Sequence, residues 1–214
     1  MNVLELFSGT HSVGNVCKEL NYNVISVDIT NYNGKYKPTH KINILEFDYK
    51  QYPIGYFNII WASPPCVSYS ILQYGWYGNE KRSKKTGQKY VFTKEHHLKD
   101  MNEADRLVKK TFEIIEYFKP YKWFIENPRT GLLKKRDIMK DIPFYDVDYC
   151  QYSNWGYRKQ TRIWTNIQGF EPKVCNNKCN NMIRNKHKKN VSDFKKLHRY
   201  KIPQNLIKDL LTKY

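Results

Sequence analysis

Acidic residues are scarce in this sequence: 20 Asp and Glu accompany 37 Lys and Arg, which leaves a formal net charge of +17. Such an excess suits a polyanionic partner, and nucleic acid is the default interpretation. A coding bias toward Lys, Asn, Tyr and Ile is the alternative explanation. That bias accounts for the number of lysines but not for their clustering, so the charge predicts a nucleic-acid partner.

Long apolar runs and a signal peptide are also missing. No stretch is long and apolar enough to span a bilayer, and the opening MNVLELFSG reads as a strand rather than as a basic region followed by an apolar one. The five cysteines are an odd number, which excludes a fully paired disulfide framework and fits reduced thiols. These absences predict a cytoplasmic protein, or a nuclear one in a eukaryotic host, with no membrane partner.

The remaining sequence predicts one α/β domain with a small appendage. At 214 residues with 40% hydrophobic content, the chain can bury a substantial core. Short apolar runs alternate with segments of helical periodicity, which is typical of a doubly wound, mostly parallel sheet covered on both faces. The predicted strands are NVLELF, NVISVDI, YFNIIWAS and KWFIENP, and the predicted helices are SVGNVCKEL and NEADRLVKKTFEIIEYF.

Two basic segments interrupt this alternation. The segment 81–94 carries six basic residues and no acidic one, and we expect it to form a mobile surface loop. The segment 173–201 has ten basic residues against one acid, Asp193, and shows no strong periodicity. The closing IPQNLIKDLLTKY predicts an amphipathic helix that begins after a proline.

The first motif with a chemical meaning is LELFSGTHSVG, a strand that enters a glycine-containing turn and then a helix. Free N–H groups at a helix start can bind a carboxylate or a phosphate. Only Gly9 and Gly14 are present, so this is not the dinucleotide-binding pattern, and a simple tight turn is the alternative. Asp28 ends the next predicted strand, where a carboxylate can bind two ribose hydroxyls. Together the two features predict a nucleoside-bearing cofactor.

The second motif is SPPCVSYS, in which two prolines precede a single cysteine. Pro64 and Pro65 restrict the backbone and remove hydrogen-bond donors, so Cys66 follows a stiff turn at the end of a strand. A catalytic nucleophile gains from such fixed placement. A buried, inert thiol is the commoner alternative. We interpret Cys66 as a nucleophile.

The third motif is FIENP. An apolar strand delivers Glu126 to the edge of the sheet that also carries Cys66. A carboxyl at such a strand end can exchange protons with a substrate. The alternative is that Glu126 caps the following turn, which Asn127 and Pro128 would suit.

A fourth constellation lies in the basic C-terminal region. Three thiols and one imidazole are the ligand types of a tetrahedral zinc site, and a small basic lobe with few apolar residues would benefit from a metal. The spacing Cys-x-x-x-Cys is looser than that of common zinc motifs, so unrelated buried thiols are the alternative. The candidate ligands are Cys150, Cys175, Cys179 and His187.

Taken together, these motifs resemble those of the carbon-5 cytosine DNA methyltransferases, which use S-adenosylmethionine. LELFSGTHS resembles the cofactor motif of that family, SPPCVSYS its P-C-x-x-F-S nucleophile motif, and ENP its E-N-V motif. NWGYRKQTRIWTN and HRYKIPQNLIKDLL resemble later segments of the family. The motifs occur in the family's order along nearly the whole chain, and the short length is similar to that of phage and giant-virus members.

The resemblance implies a class I methyltransferase fold and a covalent mechanism on a cytosine that has left the base stack. It assigns catalysis to Cys66, Glu126 and Arg162. It assigns cofactor binding to Phe7, Ser8, Gly9, Thr10, Asp28, Asn43 and Pro64. It also implies a catalytic domain over 1–167, a small basic target-recognition lobe over 168–198, and a C-terminal helix over 199–214 that returns to the catalytic domain. The candidate zinc ligands Cys175, Cys179 and His187 lie in the lobe 168–198.

The sequence departs from the family pattern at several positions. His11 stands where the second glycine of the cofactor motif is usual, and Gln160 replaces the first arginine of an R-x-R pair. Only about thirty residues are available for target recognition. A tRNA-like RNA cytosine methyltransferase and a catalytically silent, basic nucleic-acid-binding protein are therefore the alternatives to a DNA methyltransferase.

Overall fold

The computed structural model describes residues 1–32, 34–83 and 86–214. The strands are β1 Asn2–Leu6, β2 Asn23–Asp28, β3 His40–Lys41, β4 Ile59–Ala62, β5 Glu80–Arg82, β6 Lys89–Val91, β7 Lys122–Pro128, β8 Phe144–Asp148, β9 Gln160–Thr165, β10 Met182–Ile183 and β11 Lys186–His187. The helices are α1 Ser12–Glu19, α2 Lys94–Phe118, α3 Lys196–Arg199 and α4 Gln204–Thr212.

Seven of the strands form one mixed sheet in the order β3-β2-β1-β4-β7-β9-β8. The first five in this order are parallel to their neighbours, whereas β9 pairs antiparallel with both β7 and β8. The four strands predicted from apolar runs correspond to β1, β2, β4 and β7. The prediction of a mostly parallel, doubly wound sheet is confirmed, and the antiparallel end of the sheet is an addition to it.

Strand β4 shows why the core requires continuous apolar runs. All four of its residues are buried. Ile60 and Ala62 pack in one apolar cluster with α2, whereas Ile59 and Trp61 pack in a second cluster with α1 and α4. A parallel strand covered on both faces needs apolar side chains at every position. The two faces of β4 therefore anchor both helical layers.

Helix α2 is longer than its apolar pattern predicts, because it begins eight residues earlier. Thr93 caps its N-terminus: the Thr93 hydroxyl oxygen accepts a hydrogen bond from the backbone N–H of His96 at 3.4 Å. The predicted apolar face is buried at Ala104, Val108 and Ile115. The first two turns lack this periodicity, so the capping residue determines where the helix starts.

The basic segment 81–94 is not the unstructured loop that its composition predicts. Strands β5 and β6 pair antiparallel as a short hairpin, and α2 begins at Lys94. The ammonium nitrogen of Lys81 lies 3.3 Å from the ring centroid of the buried Phe92, a contact between a cation and an aromatic ring that attaches the hairpin to the core. Lys84 and Lys85, which we expect to contact phosphates, lie outside the described residues.

Helix α4 returns the C-terminal part of the chain to the sheet. The buried Lys122 at the start of β7 donates from Nζ to the carbonyl of Leu211 at 3.1 Å. The backbone N–H of Ile202 donates to Ser12 Oγ, also at 3.1 Å. The first contact ties the end of α4 to the start of β7, and the second ties the segment before α4 to the start of α1. The division into 1–167, 168–198 and 199–214 stays a prediction.

In the described part of the chain, no helix has the length and apolarity that a membrane crossing requires.

Candidate active site

Cys66 lies in the turn that follows β4, and both ends of this turn are held in place. The side-chain amide of Asn127 donates to the carbonyl of Pro64 at 2.9 Å. On the other side of Cys66, Tyr69 is buried and its hydroxyl donates to Asp105 Oδ1 on α2 at 2.9 Å. Cys66 itself is partly exposed. The turn therefore holds a reachable thiol on a rigid support.

Glu126 reaches the same edge of the sheet because β4 and β7 are parallel neighbours, with Ala62 paired to Ile125. Its side chain is 6% exposed. The hydroxyl of Tyr149 donates to Glu126 Oε1 at 2.9 Å, and Lys159 Nζ lies 3.9 Å from the same oxygen. Glu126 is thus a buried carboxyl with a fixed orientation beside a cation.

The thiol of Cys66 is electrostatically coupled to this group. Burial raises the pKa of Cys66, and the negative charge of Glu126 raises it further, whereas the positive charge of Lys159 lowers it. The resting form is therefore the thiol, and forming the thiolate depends on the balance between these two neighbours. Cys66 and Glu126 thus lie at the same edge of the sheet, where the pairing of β4 with β7 brings them.

Lys159 is a site residue that the sequence reasoning missed. Its ammonium group donates to the carbonyl of Arg199 at 3.1 Å and lies 4.8 Å from the ring centroid of Tyr149. No sequence signal pointed to it, because its place depends on the register of β9 against β7. Ile163 is the cross-strand partner of Glu126, and side chains two and four residues before Ile163 share its face of the sheet.

Arg162, which the resemblance assigns to the pocket, is held elsewhere. Its guanidinium group donates to both carboxylate oxygens of Asp146, at 2.7 and 2.9 Å, and lies 3.4 Å from the ring centroid of Phe144. Arg162 neighbours Ile163 in the strand and so faces the opposite side of the sheet. The structure does not bring it to Cys66 and Glu126, and its catalytic role stays a prediction.

The predicted cofactor residues form the loop between β1 and α1 and the end of β2. Gly9 has a φ of +49°, a conformation that favours glycine, and its N–H donates to Asp28 Oδ2 at 2.9 Å. The other carboxylate oxygen of Asp28 accepts from the Thr30 N–H at 2.8 Å. The hydroxyl of Ser8 is buried and has no hydrogen-bond partner among the described residues. An unpaired buried hydroxyl beside a carboxylate fits a polar ligand at this loop.

A cleft of about 850 Å³ extends from this loop, which is within the usual size range of small-ligand sites. Thr10 lines it on one side, and Gln204 and Asn205 at the start of α4 line it on the other. Thr10 is its only residue from the predicted cofactor set among the described lining residues. Neither Cys66 nor Glu126 is among the described residues that line this cleft.

Asn43 and Pro64 complete the predicted cofactor set. Asn43 is partly buried after β3, and its side-chain oxygen accepts a hydrogen bond from the Leu45 N–H at 3.1 Å. Pro64 is buried in the turn that carries Cys66. Both residues follow strands of the parallel part of the sheet, and their contact with a cofactor stays a prediction.

The four candidate metal ligands converge in the structure. The Sγ atoms of Cys150, Cys175 and Cys179 and a ring nitrogen of His187 all lie within 4.8 Å of one another. His187 Nε2 is 3.7 Å from Cys175 Sγ and 3.5 Å from Cys179 Sγ. Unrelated buried thiols would not meet in this way, so the cluster can hold a metal ion.

Lys159 provides a direct test of the pocket's electrostatics. We expect Lys159→Gln to slow alkylation of Cys66 by iodoacetamide severalfold at neutral pH, because losing the cation raises the pKa of the thiol. The pH profile of alkylation should move to higher pH, measured by mass spectrometry of the Cys66 peptide. The exposed Lys94→Gln is the matched control. An unchanged profile in Lys159→Gln would show that this cation does not act on Cys66.

Comparisons with known proteins agree with this arrangement. No family model matches the chain. A protein of Frog virus 3 (isolate Goorha), described as a DNA (cytosine-5)-methyltransferase, is 39% identical over 189 residues, which are 86% of this chain and 80% of that protein.

Two solved structures align with much of this chain. A DNA modification methyltransferase encoded within an E. coli prophage is 13% identical with a TM-score of 0.50, over 77% of this chain and 46% of its own. The S. pombe Dnmt2 methyltransferase is 13% identical with a TM-score of 0.48, over 80% and 52%. This chain thus spans about half the length of both proteins.

At such low identity the prophage structure supports the fold alone. The viral relative decides the family, because it is far more similar and matches most of both sequences: the chain belongs to the DNA (cytosine-5)-methyltransferases.

Proposed function

We propose that this protein transfers the methyl group of S-adenosylmethionine to carbon 5 of cytosine in DNA, through a covalent adduct at Cys66. The observation that carries the proposal is the pairing of β4 with β7, which brings a partly exposed thiol and a buried carboxyl into one electrostatically coupled pocket. The family supports the reaction type. The identity of the methyl donor and the covalent step are inferred from the residues of the site.

The donor site is the loop between β1 and α1. Asp28 would bind the ribose hydroxyls, and the unpaired Ser8 hydroxyl would hydrogen-bond a polar group of the donor. Phe7 is partly buried and would stack on the adenine. When bound, S-adenosylmethionine supplies an electrophilic methyl group on a sulfonium.

Cys66 makes carbon 5 nucleophilic. Its thiol would lose a proton to solvent, and the thiolate would then form a bond to carbon 6 of the cytosine ring, which moves electron density to carbon 5. Carbon 5 would take the methyl group as the sulfur–methyl bond of the donor breaks and the donor leaves as a neutral thioether. A base from solvent would then remove the carbon-5 proton. The electron pair of that C–H bond restores the ring double bond, and the bond from sulfur to carbon 6 breaks to regenerate Cys66.

Glu126 stabilises the ring while the thiolate adds. Tyr149 donates to Oε1, so we assign Oε2 to the Watson–Crick edge of the base. It would accept from the exocyclic amine and from ring nitrogen 3 once that nitrogen gains a proton as the thiolate adds. A carboxyl preorganised in a buried site interacts with developing charge more strongly than one in water. The positive charge of Lys159 offsets the negative charge of Glu126 and lowers the pKa of the Cys66 thiol, so it favours formation of the thiolate.

The segment after Cys66 is suited to contact bases. The turn Ile71–Trp76 exposes apolar side chains beside the nucleophile, with Leu72 77% and Trp76 51% exposed. Apolar side chains can occupy the space left by an extruded base, and a basic surface attracts the phosphates. We propose that this turn and the β5–β6 hairpin cover the extruded cytosine.

Product identification tests the proposal. The full chain is incubated with methyl-labelled S-adenosylmethionine and duplex DNA, single-stranded DNA or tRNA, and the nucleic acid is digested to nucleosides. We expect labelled 5-methyl-2′-deoxycytidine from DNA. Label in tRNA alone would indicate the RNA alternative. Salt-dependent binding without any methylated product would indicate a silent binding protein.

A further inference from the structure

We propose that Cys150, Cys175, Cys179 and His187 bind one structural Zn²⁺ ion, and that this ion positions the catalytic carboxyl Glu126. The four side chains come from three separate parts of the chain: the turn after β8, the loop 173–181 and strand β11. Side chains so distant in sequence meet only through the tertiary structure, and three thiols with one imidazole are a common ligand set of closed, tetrahedral zinc sites.

The distances within the cluster fit zinc. Zinc–sulfur and zinc–nitrogen bonds of about 2.3 and 2.05 Å at a tetrahedral angle place a sulfur and a nitrogen ligand about 3.6 Å apart. The observed separations between His187 Nε2 and the Sγ atoms of Cys175 and Cys179 are 3.7 and 3.5 Å. These two separations match the spacing that a tetrahedral zinc ion requires, and the remaining pairs of ligand atoms lie within 4.8 Å of one another.

The surrounding lobe has no hydrophobic core that could order it. Of residues 171–190, all of which are described, only Cys175 and Asn181 are buried. Both belong to the metal cluster and its immediate support. The only strands in this range, β10 and β11, contain two residues each, too few for a stable isolated hairpin. A metal ion would supply the ordering that this polar segment cannot gain from apolar packing.

Asn181 joins this lobe to the turn that carries Cys150. Its side-chain amide donates to the carbonyls of Cys150 and Ser153 at 2.8 and 2.7 Å, and its side-chain oxygen accepts from the Gly156 N–H at 2.9 Å. These bonds support the backbone around one zinc ligand. They give the site an outer shell of the kind that orients metal ligands.

The cluster is also connected to the active site. Cys150 directly follows Tyr149, the residue whose hydroxyl holds Glu126 Oε1. On the other side of Tyr149, Asp148 accepts hydrogen bonds through Oδ2 from the Cys175 N–H at 2.7 Å and from Arg158 at 2.8 Å. Tyr149 is thus fixed on both sides by groups of the metal lobe. Loss of the ion would displace Tyr149 and, with it, Glu126.

Metal analysis of the full-length chain, purified without a metal-binding tag, is the first test. We expect about one zinc per chain in the wild type and none in the double variant Cys175→Ser, Cys179→Ser. The matched control is Cys17→Ala, a buried cysteine remote from the cluster, which should keep its zinc. Cobalt exchanged for zinc should show the visible absorption of a tetrahedral thiolate site. Protein without metal, zinc retained by the double variant, or iron in place of zinc would each overturn the proposal.

The link to Glu126 rests on the proposed function and is tested separately. Chelation of zinc from the wild type should slow methyl transfer by about 100-fold, the effect of a misplaced catalytic group, while leaving S-adenosylmethionine binding unchanged in calorimetry. Adding zinc back should restore the rate. Full activity in the metal-free protein would overturn the link. If no methylation occurs under any condition, the proposed function fails, whereas the metal stoichiometry and the cobalt spectrum still decide the zinc site.

Discussion

Replacing Cys66 with alanine is expected to reduce methyl transfer to cytosine by a factor on the order of 10⁴ or more, since removing a covalent nucleophile removes the reaction path itself. The thiol is the group that makes carbon 5 reactive, and no other cysteine of the described residues is coupled to Glu126 in the same pocket. The measurement is the rate of labelled methyl incorporation under single-turnover conditions. S-adenosylmethionine binding should stay unchanged, because Cys66 lies outside the loop between β1 and α1.

A trapping experiment tests the covalent step directly. DNA that carries 5-fluorocytosine should form a denaturant-stable adduct with the wild type, because fluorine cannot leave carbon 5 as a proton does. Cys66→Ala should form none, whereas Cys17→Ala should form the adduct normally. If Cys66→Ala methylates at the wild-type rate, or still forms the adduct, Cys66 is not the nucleophile.

Replacing Glu126 with glutamine should slow methyl transfer by about 10²- to 10³-fold, the usual effect of removing one preorganised stabilising group. Glutamine keeps the size of the side chain and an oxygen that can accept from Tyr149, so the fold should be maintained. What it loses is the carboxyl that binds the base. The fall should appear in the rate of the chemical step, with donor affinity unchanged.

The same variant should affect the free thiol in the opposite direction. The negative charge of Glu126 raises the pKa of Cys66, so its removal should increase the thiolate fraction and speed alkylation of Cys66 by iodoacetamide at neutral pH. Slower methylation with faster alkylation of Cys66, while the buried Cys17 stays unreactive, is a pattern that general unfolding would not produce, because unfolding would expose both thiols to the reagent. The exposed Glu103→Gln should change neither rate. Slower alkylation in Glu126→Gln would contradict the assigned coupling.

Much of the fold follows from local sequence patterns. A parallel strand buried on both faces must be apolar throughout. For that reason the apolar runs that form β1, β2, β4 and β7 could be recognised in the sequence. Because the carboxyl ends of parallel strands meet at one edge of the sheet, the joint placement of Cys66 and Glu126 followed as well. The antiparallel strands β8 and β9 carry no such signature, since their partly exposed positions hold polar residues such as Asp146, Gln160 and Arg162. Helix α2 was recognised only where its apolar face is buried.

The sequence by itself determined the residue types of both sites: a thiol after two prolines, a carboxyl at a strand end, and three cysteines with one histidine in a basic, weakly apolar region. Tertiary structure alone decided which of these groups meet. The register of β9 against β7 turns Arg162 toward Asp146 and leaves Lys159 as the cation beside Glu126. The convergence of Cys150 with His187 likewise depends on loops that close over long sequence separations. The physical reason is that side-chain type is local, whereas contact between strands and loops is set by packing against the rest of the core.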